Sequence, residues 1–188
     1  MFSVTTTACR GLAQLGTYDL VFGGVHARLM KMRAILGSRP NMNKITDHVW
    51  VGGLNKPKLI VSQNFSVVLD LRETNDLNYQ NFLKNHDVEY LNIKVPDCNG
   101  APPKVLSQIV SLIDEKVNEK RKILVHCNVG RGRSALAVAA YLVSQGLSPE
   151  EALKTIKEKR SVTYLNERQM QALTDFADTL SWLLKKKM

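Results

Sequence analysis

Short apolar runs of strand length, alternating with stretches of helical period, predict an α/β fold with a mostly parallel central sheet flanked by helices. The runs lie at residues 49–51, 66–71, 90–94 and 122–125. Amphipathic stretches separate them, with apolar residues recurring every three or four positions. Behind the last run comes a third sign: residues 134–144 are almost all small or apolar. That is the composition of a helix buried on every side.

Taken in order, Val25, Leu29, Met32 and Leu36 fall on one helical face, with Arg28, Lys31 and Arg33 flanking or opposing it. Gly23-Gly24 and Gly37 bracket this piece, and residues 38–41 read as a linker. The body opens at Ile45 with the strand 49–51, stopped by Gly52-Gly53, and a helix starts near Pro57. Strand 66–71 empties into a polar loop, 72–76, and a helix is expected over 77–85. Strand 90–94 leads to a loop marked by Gly100, Pro102 and Pro103. The pattern over 103–119 predicts an amphipathic helix with Val105, Ile109, Leu112, Ile113 and Val117 inward. Strand 122–125 follows, then the helix 134–144, closed by Gly146. Ser148-Pro149-Glu150-Glu151 is a capping box with proline at the first helical position. Asn166-Glu167-Arg168-Gln169 repeats that logic for a last helix, closing on Leu173, Phe176, Leu180 and Leu183. Residues 1–43 thus read as a basic amphipathic extension, 44–184 as the globular body and 185–188 as a basic tail.

The net charge of +9 is unevenly spread. Residues 1–46 hold six Lys/Arg against one Asp, the tail adds three lysines, and the body is close to neutral. A nucleic-acid enzyme would carry its excess across a binding face, and only 6% of residues are aromatic, so base stacking has little to work with. Basic ends suit an anionic membrane surface or a solvated tail. Residues 1–40, poor in acids and rich in Ser/Thr at the start, also have the composition of an organellar transit peptide. No run is long enough to be a transmembrane helix. Three cysteines make no even framework, so disulfides are not expected.

One stretch carries chemistry: Val125-His126-Cys127-Asn128-Val129-Gly130-Arg131-Gly132-Arg133-Ser134. A cysteine stands at a strand exit, just before a helix, and an arginine follows six positions later. Backbone N–H groups of a tight loop can converge on phosphate oxygens, and the helix N-terminus adds positive potential. The planar fork of Arg133 grips two oxygens. The same field favours a thiolate nucleophile at Cys127, which needs a reducing, intracellular compartment.

Residues 126–134 resemble the Cys-x5-Arg signature loop of the protein-tyrosine-phosphatase superfamily, in its dual-specificity branch, and the likeness runs from about Ile45 to Leu184. It implies a two-step, metal-independent and cofactor-free hydrolysis through a phosphocysteine on Cys127. Asn128, Val129, Gly130, Arg131, Gly132 and Arg133 would hold the phosphate. The resemblance implies an acid on an upstream loop, and Asp97 of Pro96-Asp97 takes that role. Ser134 would hydrogen-bond the thiolate, and His126 would support the loop.

Arg131 places a second guanidinium in the loop and favours a highly charged ester. The segment 130–134, the following residues 135–141 and the stretch 148–152 look like the mitochondrial branch that dephosphorylates phosphatidylglycerophosphate. Residues 71–75 differ from that branch, and Pro96-Asp97 is similar to small general dual-specificity phosphatases. The expected substrate is a membrane phospholipid monophosphate, with phosphoproteins next and an RNA 5′-triphosphate end third. A phosphate-binding module without activity would be expected to lack one of Cys127, Asp97 or Arg133. The expected partners are thus a phosphomonoester and an anionic membrane surface, with the chain acting as a monomer.

Overall fold

The computed structural model describes residues 17–35, 39–74 and 76–186. Its elements run α1 (Thr17–Ile35), β1 (Met42–Lys44), β2 (Val49–Gly52), α2 (Pro57–Ser62), β3 (Val67–Asp70), α3 (Leu77–Lys84), β4 (Glu89–Asn92), α4 (Pro103–Asn118), β5 (Ile123–His126), α5 (Arg133–Ser144), α6 (Pro149–Lys159) and α7 (Glu167–Lys186).

The strands form a five-stranded sheet in the order β1-β2-β5-β3-β4. Only β1, at the edge, is antiparallel; β2, β5, β3 and β4 are parallel. Every residue of β5 is buried, as a strand covered on both faces requires. The register sets Gly52, Asp70 and His126 side by side at the carboxyl ends of β2, β3 and β5. Ligands of such sheets bind beyond those ends.

Two apolar clusters sandwich the sheet. The larger gathers Val51, Leu69 and Val125 with α4, α6, α7 and the central helix α5. Residues 133–143 of α5 are all buried, so the small side chains expected there let helices approach from several sides. The smaller cluster packs Ile60, Phe65, Tyr79 and Leu83 against Val68 and Leu124 on the opposite face. The capping box at Ser148 and Glu151 forms as expected. Asn166 and Gln169 exchange the same reciprocal pair of bonds ahead of α7.

Several expectations are corrected. The three-residue strand β1 lies next to the supposed linker and is too short to show a period. On α4 the inward residue is Leu106, with Ile109 and Ile113; Leu112 is only partly buried. Leu183 is exposed, as are Trp182 and Leu184, because α7 outruns the body at its end. Val25, Leu29 and Met32 point to solvent at 50%, 47% and 58% exposure. On a point that the apolar pattern leaves open, the face of α1 that meets the body is the small one, with Ala27 and Ala34 fully buried. Leu36 lies outside the described residues. Cys127 is a free, buried thiol.

Candidate active site

The loop between β5 and α5 is built by turning its carbonyls outward. His126 Nδ1 meets the Cys127 carbonyl at 3.1 Å, and the Leu54 N–H donates to that of Asn128 at 3.0 Å. The Val129 carbonyl accepts from Asn41 Nδ2 at 3.3 Å and from Arg160 Nη2 at 3.4 Å. The Gly130 carbonyl accepts from Arg160 Nε at 2.7 Å. The Tyr164 N–H donates to the Arg131 carbonyl and the Leu136 N–H to that of Gly132. In a trans peptide the N–H points opposite the C=O. Six carbonyls facing out therefore turn the N–H groups of residues 128–133 inward, in a ring at the head of α5. That is an anion cradle.

Gly130 makes the ring possible. Its φ is +80°, and a Cβ there would stand 2.3 Å from the Gly53 nitrogen. Gly53 is equally constrained, since its Cβ would meet the Val129 carbonyl oxygen at 2.5 Å. The loop thus lies directly on the glycine pair that ends β2.

Cys127 is at the floor of the cradle, only 3% exposed. Its Sγ accepts from the Gly130 N–H at 3.2 Å and lies 3.6 Å from Ser134 Oγ. Arg133 is held by its Nη1 on the Val95 carbonyl at 3.2 Å. Its Nη2 stands 3.1 Å from Asp97 Oδ1. Asp97 is at the mouth, its side chain 65% exposed, with its own N–H donated to Glu73.

Below the loop is a buried polar layer. Asp70 accepts a forked bond from Arg72, 2.7 Å at its shortest, and another from the Tyr90 hydroxyl at 2.8 Å. Burial pushes the Asp70 carboxyl upward, but His126 and the Arg72 fork outweigh it and hold the carboxyl low. His126, fully buried, has its Nε2 3.8 Å from Asp70. Burial lowers the imidazole's affinity for a proton, against the pull of Asp70. A ring protonated on Nδ1 donates to the Cys127 carbonyl and props the loop.

Comparison with known proteins fits this geometry. The family described as "Dual specificity phosphatase, catalytic domain" matches residues 52–179. The chain belongs to this dual-specificity phosphatase family. It is 31% identical over 125 residues to the rat "Phosphatidylglycerophosphatase and protein-tyrosine phosphatase 1", covering 63% of this chain and 65% of that one. The chain thus spans a little under two thirds of that relative's length. It is also 31% identical over 153 residues to the human "Protein phosphatase Slingshot homolog 2", which covers 80% of this chain but 10% of that protein. Among solved structures, PTPMT1 superposes with a TM-score of 0.68 at 25% identity, covering 77% of this chain and 99% of that one. Tk-PTP in its active form gives 0.67 at 28% identity, covering 74% and 97%.

Within this dual-specificity phosphatase domain, the fold brings Cys127, Arg133, Ser134 and Asp97 together, with residues 128–132 around them. Arg131 is drawn aside. Its guanidinium lies 4.8 Å over the Tyr164 ring and beneath Gly23 and Gly24 of α1. Sequence reasoning missed Arg160, which is 2% exposed and follows α6. Besides its loop bonds it reaches Asn43 Oδ1 at 2.7 Å and Asn41 Oδ1 at 2.6 Å. Burial lowers its pKa to about 10, though the Cys127 charge resists this. Nothing in its local pattern marked it, since a basic residue at a helix end is ordinarily a solvated partner of the dipole. Lys31 was missed too: its Nζ reaches Asn128 Oδ1 at 2.5 Å.

Proposed function

We propose that this chain is a cysteine-based phosphomonoester hydrolase whose preferred substrate is a membrane phospholipid monophosphate such as phosphatidylglycerophosphate. The observation that carries the hydrolase reading is the carbonyl-out loop over Cys127 with Arg133 and Asp97 at its mouth. A phosphate dianion settling in the ring of N–H groups takes the Arg133 fork away from Asp97. Cys127 Sγ attacks phosphorus opposite the leaving oxygen. As the P–O bond breaks, Asp97 gives that oxygen its proton, and the alcohol departs. The phosphoryl group is then on sulfur. Asp97, now a base, takes a proton from water; the water oxygen bonds phosphorus, the S–P bond breaks, and inorganic phosphate leaves. Ser134 donates to the departing thiolate. Loop donors aimed at the equatorial oxygens stabilise charge that grows in the transition state, usually the largest single contribution.

Two features support a lipid. The exposed Val25, Leu29 and Met32 form an apolar stripe beside Arg28 and Arg33, suited to an anionic interface. The rat relative is named for phosphatidylglycerophosphate, and PTPMT1 has been solved in complex with PI(5)P. No helix among the described residues is long and apolar enough to cross a membrane, so contact would be peripheral. On this reading residues 1–43 direct the protein to an anionic, organellar membrane. The similarity to Slingshot homolog 2 favours the second reading, a protein phosphatase. Phosphate release from phosphatidylglycerophosphate micelles and from phosphotyrosine and phosphoserine peptides separates the two. A higher kcat/KM on the peptides would overturn the lipid reading. The Cys127→Ser variant must be inert on all of them.

A further inference from the structure

Helix α1 touches the phosphate loop as well as the body. Gly23 and Gly24 pass over the Arg131 guanidinium; a Cβ at Gly24 would lie 3.1 Å from Arg131 Nη1. Ala27 and Ala34, on the same side, are fully buried. Lys31 lies between them and extends its ammonium to the Asn128 side chain, one residue past Cys127. The charges at the mouth differ in how they are balanced. Arg72 is neutralised by Asp70, and Arg133 faces Asp97. Lys31 is held by a neutral amide, and no carboxylate among the described residues is within ion-pair distance of it. It is half-buried, and the charges of Arg72, Cys127 and Asp97 all act on it.

We propose that Lys31 is a specificity-determining residue that binds a second anionic group of the substrate, beside the phosphate being cleaved. The ring of N–H groups and Arg133 already supply donors for the ester phosphate. Lys31 approaches from outside the ring, over Asn128, and so addresses a group of the substrate other than the phosphate held in the ring, such as a neighbouring phosphodiester. A partly desolvated ammonium bonded to a neutral amide oxygen exchanges that acceptor for an anionic one with a gain in Coulomb energy. The small residues of α1 then have a reason beyond packing: they bring the helix close enough for a lysine to reach the loop. The outward stripe of Val25, Leu29 and Met32 would tie this reach to the membrane that presents the headgroup.

The inference rests on the phosphatase reading of the site but can fail separately from the lipid reading. Competitive inhibition of p-nitrophenyl phosphate turnover is measured for glycerol 3-phosphate and for glycerophosphoglycerol phosphate. The second carries the same monoester plus a phosphodiester and has no acyl chains. The full chain should bind the second compound about tenfold more tightly than the first, the worth of one charge-assisted contact. Lys31→Ala should remove that preference, and Lys31→Arg should keep most of it. Replacing Gly23 and Gly24 together by valine should lift α1 off Arg131 and lose the preference with Lys31 still present. Equal weakening of both inhibitors in Lys31→Ala would overturn the proposal, as would no change in their ratio. A rise in turnover when α1 is lifted would make it a lid and overturn the proposal as well. If the preference is present but the intact lipid is not hydrolysed, the lipid reading falls and the role of Lys31 stands.

Discussion

Arg160→Met tests whether the loop is shaped from behind. The guanidinium is 2% exposed and donates four bonds, to Gly130, Val129, Asn41 and Asn43. Methionine fills similar volume with no donor. The Val129 carbonyl keeps its bond from Asn41, and Asn43, only partly buried, can turn to water. The Gly130 carbonyl and the buried Asn41 Oδ1 lose their partner. Leaving these two buried neutral acceptors without a donor costs about 1–3 kcal/mol each. For a chain of this size each kcal/mol is worth about 2–4 °C, so Tm should fall by about 10 °C. The functional loss should exceed the structural one. A Gly130 carbonyl free to rotate turns the Arg131 N–H out of the ring, and displacements of about 1 Å at a reacting centre can cost about a hundredfold. Turnover of p-nitrophenyl phosphate well below the melting transition, with vanadate affinity alongside, reads this. Arg160→Lys should recover part of the stability and little of the activity, because a point charge cannot satisfy two divergent acceptors. A Met variant that melts within about 2 °C of the parent and keeps full kcat/KM would refute this reading of Arg160.

Asp97→Ala should cut turnover by about a hundredfold on alkyl phosphates and far less on p-nitrophenyl phosphate, whose leaving group needs little protonation; an equal, small effect on both would remove Asp97 from the role. His126 has its proton affinity lowered by burial in the folded state, so its contribution is complete above the unfolded value of 6.5 and is lost as pH falls below it. The unfolding free energy from urea titrations should therefore drop between pH 7 and pH 5, by up to about 1.4 kcal/mol per pH unit, and His126→Asn should flatten that slope. Serine at Val25, Leu29 and Met32 should weaken cosedimentation with anionic vesicles without lowering Tm, since all three face solvent; unchanged pelleting would remove α1 from membrane contact. In the unsubstituted protein that binding should also weaken with salt, because the basic residues add to a marginal apolar anchor.

How far the sequence could be read follows from the range of the interactions. The sheet and its helices were legible because β3, β5 and α5 write burial into consecutive residues, and the caps at Ser148 and Asn166 are local. The cradle was legible in part, because Cys127, Gly130, Arg133 and Ser134 lie within eight positions on one turn of chain. Asp97 needed the family resemblance, since only the fold brings it to 3.1 Å from Arg133. Arg160 and Lys31 had no local sign. One acts across 30 residues and the other across 97. The apolar stripe of α1 left its partner open for a related reason. Periodicity reports that a helix has two faces and is silent on which one meets the body. Here glycine and alanine take the inner face, because a helix laid over a charged loop gains more from close approach than from apolar bulk. On the reading proposed above, a stripe of large apolar residues facing solvent, backed by a basic residue reaching the anion cradle, would make α1 part of substrate capture. The catalytic domain alone would hold the phosphate without the reach of Lys31.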